Sequence, residues 1–293
     1  MATLRELKGR ISSVASSEKI TGAMKMISSA KMHKAEQSLK KLQPFRSQIE
    51  TIIGNLLNTD AQFTSPLLEE REVRRIAIVV MGSDDGLCGA FNVNILKQFL
   101  ANVNECRSRH GSQLEIDVYA VGAKIAKAVG KLAVPGLRMV TVEGVDTKTS
   151  GQGVKAFLDL LIGRFMSGTV DEVWVHYMHF QSVSRQRFTA DRMLPVAPSN
   201  FAGAEAKAGC RPCIFEPSAA DIFTSVLPMY LMSTLQEIFT ENRAAEQAAR
   251  VMAMQSANDN AKKLLDELQL EYNKLRQQSI TTELLDILGG QVR

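Results

Sequence analysis

The chain has 293 residues, of which 45% are hydrophobic, 23% charged and 6% aromatic, and its formal net charge is +4. These values fit a soluble protein with one substantial core and many residues to spare. The charge is too small to argue for a nucleic acid or a membrane surface as partner, and no run of about 18 apolar residues offers a membrane span.

The opening MATLRELKGRISS carries Glu6 and lacks the apolar core of a secretion signal, so the chain is expected to be mature as written and cytosolic. From about Thr3 to Asn58 the sequence is nearly free of breakers. Leu4, Leu7, Ile11 and Val14 step by three and four. The stripe is expected to resume at Ile20, Met24 and Ile27, then at Leu39, Leu42, Ile49, Ile52 and Leu56. So narrow a stripe on so long a helix suits a coiled coil. Pro44 is expected to kink or interrupt it.

The middle of the chain changes period. Ile76–Met81 is a short continuous apolar run of the kind found in buried parallel strands. A loop with Gly82, Gly86 and Gly89 follows, then a helix from Asn92 to about Cys106. A strand is read over Leu114–Ala120, a helix from Gly122 to Val129 and another over Gln152–Met166. Glu172–Met178 and Arg187–Met193 read as further strands. Strands alternating with helices predict an α/β, Rossmann-like sheet. Pro195, Pro198, Pro212 and Pro217 mark the exit from it. Helical period returns from Ala219 to about Leu288, with a bend expected at Pro228. Ala245, Ala249, Ala253, Ala257 and Ala261 form a small-residue stripe, followed by Leu264, Leu268, Tyr272, Leu275 and Leu285.

The expected organisation is a coiled-coil helix over 1–58, an inserted α/β domain over 74–212 and a second coiled-coil helix over 219–288, the two helices antiparallel. Residues 1–50 carry ten Lys/Arg and four Asp/Glu, whereas residues 237–286 carry six and nine, and this opposite balance favours the pairing.

Chemistry is hard to assemble from these residues. Gly82, Gly86 and Gly89 match neither GxGxxG nor a Walker A loop, and Asp84 and Asp85 sit where a phosphate needs neutral or positive surroundings. A tight strand-to-helix turn is the favoured reading. Cys210 and Cys213 have CxxC spacing but lack two further zinc ligands. His33, His110, His176 and His179 form no supported metal pair, since residues three apart on a strand point to opposite faces. No GxSxG elbow is present. Lys19, Lys25, Lys31, Lys34, Lys40 and Lys41 lack interleaved aromatics, so a solvated face, or one turned to an acidic protein, is favoured over a nucleic-acid stripe. No catalytic residue, cofactor or metal is expected.

Four segments carry a resemblance. Lys19–Met32 (KITGAMKMISSAKM) resembles the amino-terminal helix of F-type ATP synthase gamma subunits. Glu246–Ala261 (EQAARVMAMQSANDNA) and Leu270–Leu284 (LEYNKLRQQSITTEL), ahead of Gly289 and Gly290, are similar to that family's carboxy-terminal helix. Ser83–Asn92 (SDDGLCGAFN) is similar to its loop after the first strand, departing from it at Asp85. The resemblance implies a non-catalytic rotor shaft inside a ring of three alpha and three beta subunits, with the α/β domain beside the epsilon subunit and the membrane c-ring. It implies no nucleic acid and a peripheral place on the cytoplasmic face of a bacterial inner membrane. By position, Arg276 and Gln277 match a pair that reaches a beta-subunit catch loop, Thr281 and Glu283 match neighbouring polar contacts, and Met24 matches a contact near an acidic segment of beta. Glu216 matches a contact to the polar loops of the c-ring. The alternatives are an α/β enzyme for a small molecule or nucleotide with coiled-coil arms, and a coiled-coil nucleic-acid-binding protein.

Overall fold

A computed structural model describes residues 3–57, 65–111, 113–132, 134–197, 201 and 215–290. Cys210 and Cys213 lie outside them. The chain divides into two compact units, Met1–Ser29 with Arg250–Arg293, and Ala30–Ala249. Helices α1 (Leu4–Leu57) and α5 (Ala219–Gly290) contribute to both. Each starts on a side-chain cap. The Glu6 amide donates to Thr3 Oγ1 at 3.3 Å while the Thr3 amide donates to Glu6 Oε2 at 2.9 Å, and the Asp221 amide donates to Ser218 Oγ at 3.1 Å. These bonds satisfy amides that the first turn leaves without partners.

The first unit is a helix pair. In α1 the buried or half-buried positions include Leu4, Leu7, Ile11, Val14, Glu18, Thr21, Lys25 and Ser28. In α5 they include Val251, Met254, Asn258, Ala261, Leu265, Leu268, Tyr272, Leu275 and Ser279. Both series alternate steps of three and four, the 3.5-residue repeat of a left-handed coil. The pairing is antiparallel: Glu18 faces Lys262 at 3.9 Å, and four residues later in α1 the open side of Gly22 lies against Asn258. In this unit the expected stripe was right at Leu4 to Val14, at Met24, at Ala253, Ala257 and Ala261 and at Leu268 to Leu275, and wrong at Ile20, Ile27, Leu264 and Leu285. Ile20 and Ile27 are 59% and 56% exposed, and Leu264 and Leu285 also face outward. A helix holds its heptad frame unless an insertion shifts it. The frame set by Leu4 to Val14 therefore continues through Glu18, Thr21 and Lys25, and turns nearby isoleucines out.

The second unit is built on a five-stranded sheet of order β3-β2-β1-β4-β5. Its strands are β1 (Arg75–Met81), β2 (Glu115–Val121), β3 (Leu137–Met139), β4 (Glu172–Ser182) and β5 (Arg185–Leu194). The first four are parallel, and β5 returns antiparallel on β4. Three-residue β3 is too short to carry a periodic signal and was not expected. Helices α2 (Phe91–His110) and α3 (Ala123–Val129) cover one face, meeting Ile76, Ile78, Val80, Ile116 and Val118. Helix α4 (Gln152–Met166), the end of α1 and the first turns of α5 cover the other, meeting Ala77, Val79, Met81, Val173 and Val175. Strand β1 is buried on both faces, which explains its unbroken apolar run.

Neither proline interrupts its helix. Pro44 and Pro228 are exposed, as are Lys40 and Thr224, whose carbonyls each proline leaves without an amide partner. Water can satisfy a carbonyl on that side, so the lost bond is tolerated. Ile53, not Ile52, fills the core beside Ile49 and Leu56.

Candidate functional site

In an open α/β sheet the ligand position lies beyond the carboxyl ends of the strands where their order reverses. Here that place is between β1 and β4, and α5 fills it. Residues Leu231, Leu235, Ile238 and Phe239 pack on one face of the sheet and Ala245 on the other, so α5 crosses the carboxyl edge between them. At the crossing, Asn242 is 1% exposed. Its Nδ2 donates to the Gly82 carbonyl at 3.0 Å, and its Oδ1 accepts the Met178 amide at 3.3 Å. The β1–β4 ladder ends at Val80 opposite His176. Two residues on, Gly82 and Met178 form the next rung, and the Asn242 amide stands between them as a peptide group would.

The loop after β1 is held as firmly. The Asn92 side chain donates to Ser83 Oγ at 2.7 Å and accepts the Ser83 amide at 3.1 Å. Ser83 Oγ donates to the Asp85 carbonyl at 2.8 Å. The Asp84 carboxylate accepts the Ala123 amide at 3.1 Å, the Thr147 amide at 3.3 Å and the Thr147 hydroxyl. These lone pairs are thus engaged by protein donors. Gly122, at φ 113°, lets β2 pass so close that a Cβ would lie 2.9 Å from the Ser83 carbonyl carbon, and a Cβ on Gly82 would collide with Ile125. Arg243 ties the far loop to α5 by donating to the Thr147 and Thr149 carbonyls at 3.0 and 3.2 Å, and Gln236 accepts the Gly151 amide at 2.8 Å. The crevice that an enzyme of this fold would use holds the chain's own helix. The sequence marked Asp84 and the glycines as a turn; Asn242 and Arg243 carried no local signal, being polar residues within a helical run.

A second polar group joins α1, α5 and the sheet. Arg46 donates to Glu237 at 2.5 Å and to Glu50 at 2.8 Å, His179 Nδ1 lies 2.7 Å from Glu241, and the Tyr177 hydroxyl donates to Asp191 at 2.9 Å. Burial, then the Asp191 charge, pushes the Tyr177 phenol up, and burial raises Glu241 against the opposing pull of His179. His176 points to the other face, fully buried between the edges of Phe99 and Phe188 with no partner on either ring nitrogen. Desolvation pushes its pKa down to about 3, so the ring is neutral. A cleft of about 840 Å³ opens at the opposite, amino-terminal edge of the sheet, where Arg74 pairs with Glu72 and Arg75 with Glu115.

The residues singled out by resemblance lie on exposed or half-exposed surface. Arg276, Gln277, Thr281 and Glu283 are exposed along α5, and Thr281 Oγ1 donates to the Gln277 carbonyl at 2.9 Å. By the register of Glu18 with Lys262, Leu4 at the start of α1 lies opposite Arg276 of α5, and α5 continues to Gly290. Its Ile280, Leu284, Leu285, Ile287 and Leu288 are 49–63% exposed. Met24 is half-buried next to exposed Ile20, Ala23 and Ile27, and Glu216 is exposed ahead of α5. Between the two helices, Arg46 pairs with Glu237 and Glu18 faces Lys262, ion contacts of opposite sense.

Comparison with known proteins fits this architecture. The family model described as ATP synthase matches residues 3–292. The chain is 42% identical over 296 residues to the ATP synthase gamma chain of Bacteroides fragilis, covering all of both. It is 33% identical to that of Cupriavidus necator, covering 99% of each. In structure it resembles a chain of the Euglena gracilis mitochondrial ATP synthase OSCP/F1/c-ring assembly, with a TM-score of 0.66 at 18% identity over 98% of this chain and 93% of that one. A chain of the Tetrahymena thermophila central stalk and c-ring gives a TM-score of 0.55 at 20% identity over 81% and 99%. On its full-length likeness to the bacterial proteins, the chain belongs to the ATP synthase gamma-chain family.

Proposed function

We propose that this chain is the central rotor shaft of an F-type ATP synthase, a non-catalytic subunit that turns inside three alpha and three beta subunits. The full-length likeness to bacterial ATP synthase gamma chains carries this reading. On this reading, residues 1–58 and 219–288 form the shaft, and the α/β domain over 74–212 sits at its foot beside the epsilon subunit and the c-ring. Arg276, Gln277, Thr281 and Glu283 meet a beta subunit near the carboxy-terminal end of α5, and Met24 meets beta lower on the shaft. Glu216 meets the c-ring. The exposed isoleucines around Met24 and the exposed apolar end of α5 support such contacts, because apolar patches of this kind are normally covered. A lysine at position 24 would bring a new charge against an acidic segment and impair coupling.

No described helix is long and apolar enough to cross a membrane, and the chain joins the membrane through its complex, on the cytoplasmic face of a bacterial inner membrane. An α/β enzyme is not favoured, since α5 occupies the crevice that would take its ligand. The test is co-expression with the cognate alpha and beta subunits. One copy per three alpha–beta pairs, with ATPase activity that depends on it and falls in Arg276→Ala/Gln277→Ala, is the expected result. A chain that elutes alone and leaves the ATPase unchanged would overturn the reading.

A further inference from the structure

A load applied to the α/β domain has to cross from the sheet into α5 before it can turn a shaft. Most of that junction is apolar: Leu231, Leu235, Ile238 and Phe239 on one face, Ala245 on the other. Apolar contact resists separation but has no preferred direction, so it opposes sliding only through shape. Hydrogen bonds weaken steeply with misalignment and therefore resist sliding and rotation. Asn242 joins both central strands at once, at Gly82 and Met178, and Arg243 and Gln236 tie the loop over Thr147–Gly151 to the same helix.

Glu241 also meets the His179 side chain on β4 at 2.7 Å, but Asn242 is the one of these that bonds the backbone of both strands. It does so at 1% exposure, where water cannot replace a lost partner. Its amide supplies one donor and one acceptor at peptide spacing, which a hydroxyl, a carboxylate or an alkyl group of the same size does not. Strand β1 ends at Met81 while β4 runs on to Ser182, so without Asn242 the Met178 amide and Gly82 carbonyl would face each other across an empty rung.

Resting on the rotor reading above, we infer that Asn242 is the positioning residue that locks α5 to the sheet, so that torque passes between the α/β domain and the shaft. The position where this fold would hold a ligand holds the transmission contact instead.

The experiment uses the complex with alpha and beta subunits, fixed through beta, with a bead attached through a biotinylated cysteine replacing Ser184 in the β4–β5 turn. ATP-driven rotation is followed under rising viscous load. The parent chain turns the bead. Asn242→Leu, of similar volume without hydrogen bonds, is expected to keep the ATPase rate of the bead-free complex while delivering about twofold less torque or worse, with about tenfold faster exchange of the Met178 amide. Asn242→Gln, which keeps both donor and acceptor, is expected to deliver more torque than Asn242→Met, of similar length with neither; that pair decides the matter if the leucine variant does not assemble. Equal torque from parent and leucine variant, or from Gln and Met, would overturn the inference and leave the rotor reading standing. A parent complex that hydrolyses ATP without turning the bead would overturn both.

Discussion

The two units solve opposite problems with the same helices. In the α/β unit polar groups turn inward and find partners: Asn242 between two strands, Asp84 under three donors, and Asp117 with Arg138 at 3.0 Å and Arg164 at 3.2 Å. In the coiled-coil unit the seam holds Glu18, Thr21 and Asn258, while Ile20, Ile27 and the apolar end of α5 face out. The first arrangement makes a self-sufficient body. The second leaves apolar surface for another protein to cover, and this is what a shaft seated in a sleeve requires.

Four changes would break or sharpen this contrast. The largest effect belongs to the self-sufficient unit: Phe157→Ala, which empties a site packed edge-on between Tyr119 and Phe239, should cost about 3–5 kcal/mol. Chemical denaturation followed at Trp174 reads it, and a loss under 1 kcal/mol would mean that the core can collapse around the gap.

His176 predicts a pH effect. Its folded pKa of about 3 lies below the ordinary 6.5, so the stability from keeping it neutral is present above pH 6.5 and is lost as pH falls towards 3. Relative to His176→Phe, the parent should lose about 1.4 kcal/mol per pH unit across that window. Denaturant midpoints of both at pH 7.5 and pH 5 measure the difference, and a constant gap would show that the ring is not held neutral.

In the coil, Asn258→Ala removes the 2.7 Å bond to the Glu18 carbonyl and should cost about 1 kcal/mol. Faster amide exchange confined to the first unit is the expected sign. The smallest effect on the isolated chain is expected from Ile20→Ser with Ile27→Ser, about 0.5 kcal/mol or less, because both side chains are already in water. The same double variant should weaken assembly with alpha and beta subunits in a titration, and unchanged assembly would leave that outward face without a partner.

Much of the fold could be read from the residues. The apolar run Ile76–Met81 marked a buried strand because both faces of a central parallel strand are covered. The near-absence of clustered turn residues before Asn58 and after Ala219 marked long helices, and the isolated Pro44 and Pro228 did not stop them. The exposed candidates Arg276, Gln277, Thr281 and Glu283 came from resemblance alone; no local pattern separates them from other surface residues of a helix. Strand β3 was missed because it is stabilised by its pairing with β2 and hardly at all by its own three residues.

Sequence by itself determined the periods: two long amphipathic helices around an α/β segment, and a glycine loop unfit for phosphate. Tertiary structure decided the phase. Ile20 and Ile27 are more apolar than Glu18, Thr21 and Lys25, yet the opposing helix, with Asn258 against Glu18 and Thr21, holds the frame that Leu4 to Val14 set and leaves the isoleucines outside. It also decided that α5 crosses the carboxyl edge of the sheet. A single asparagine in a helix shows no destination until two strands end on either side of it, with an amide and a carbonyl that need a partner.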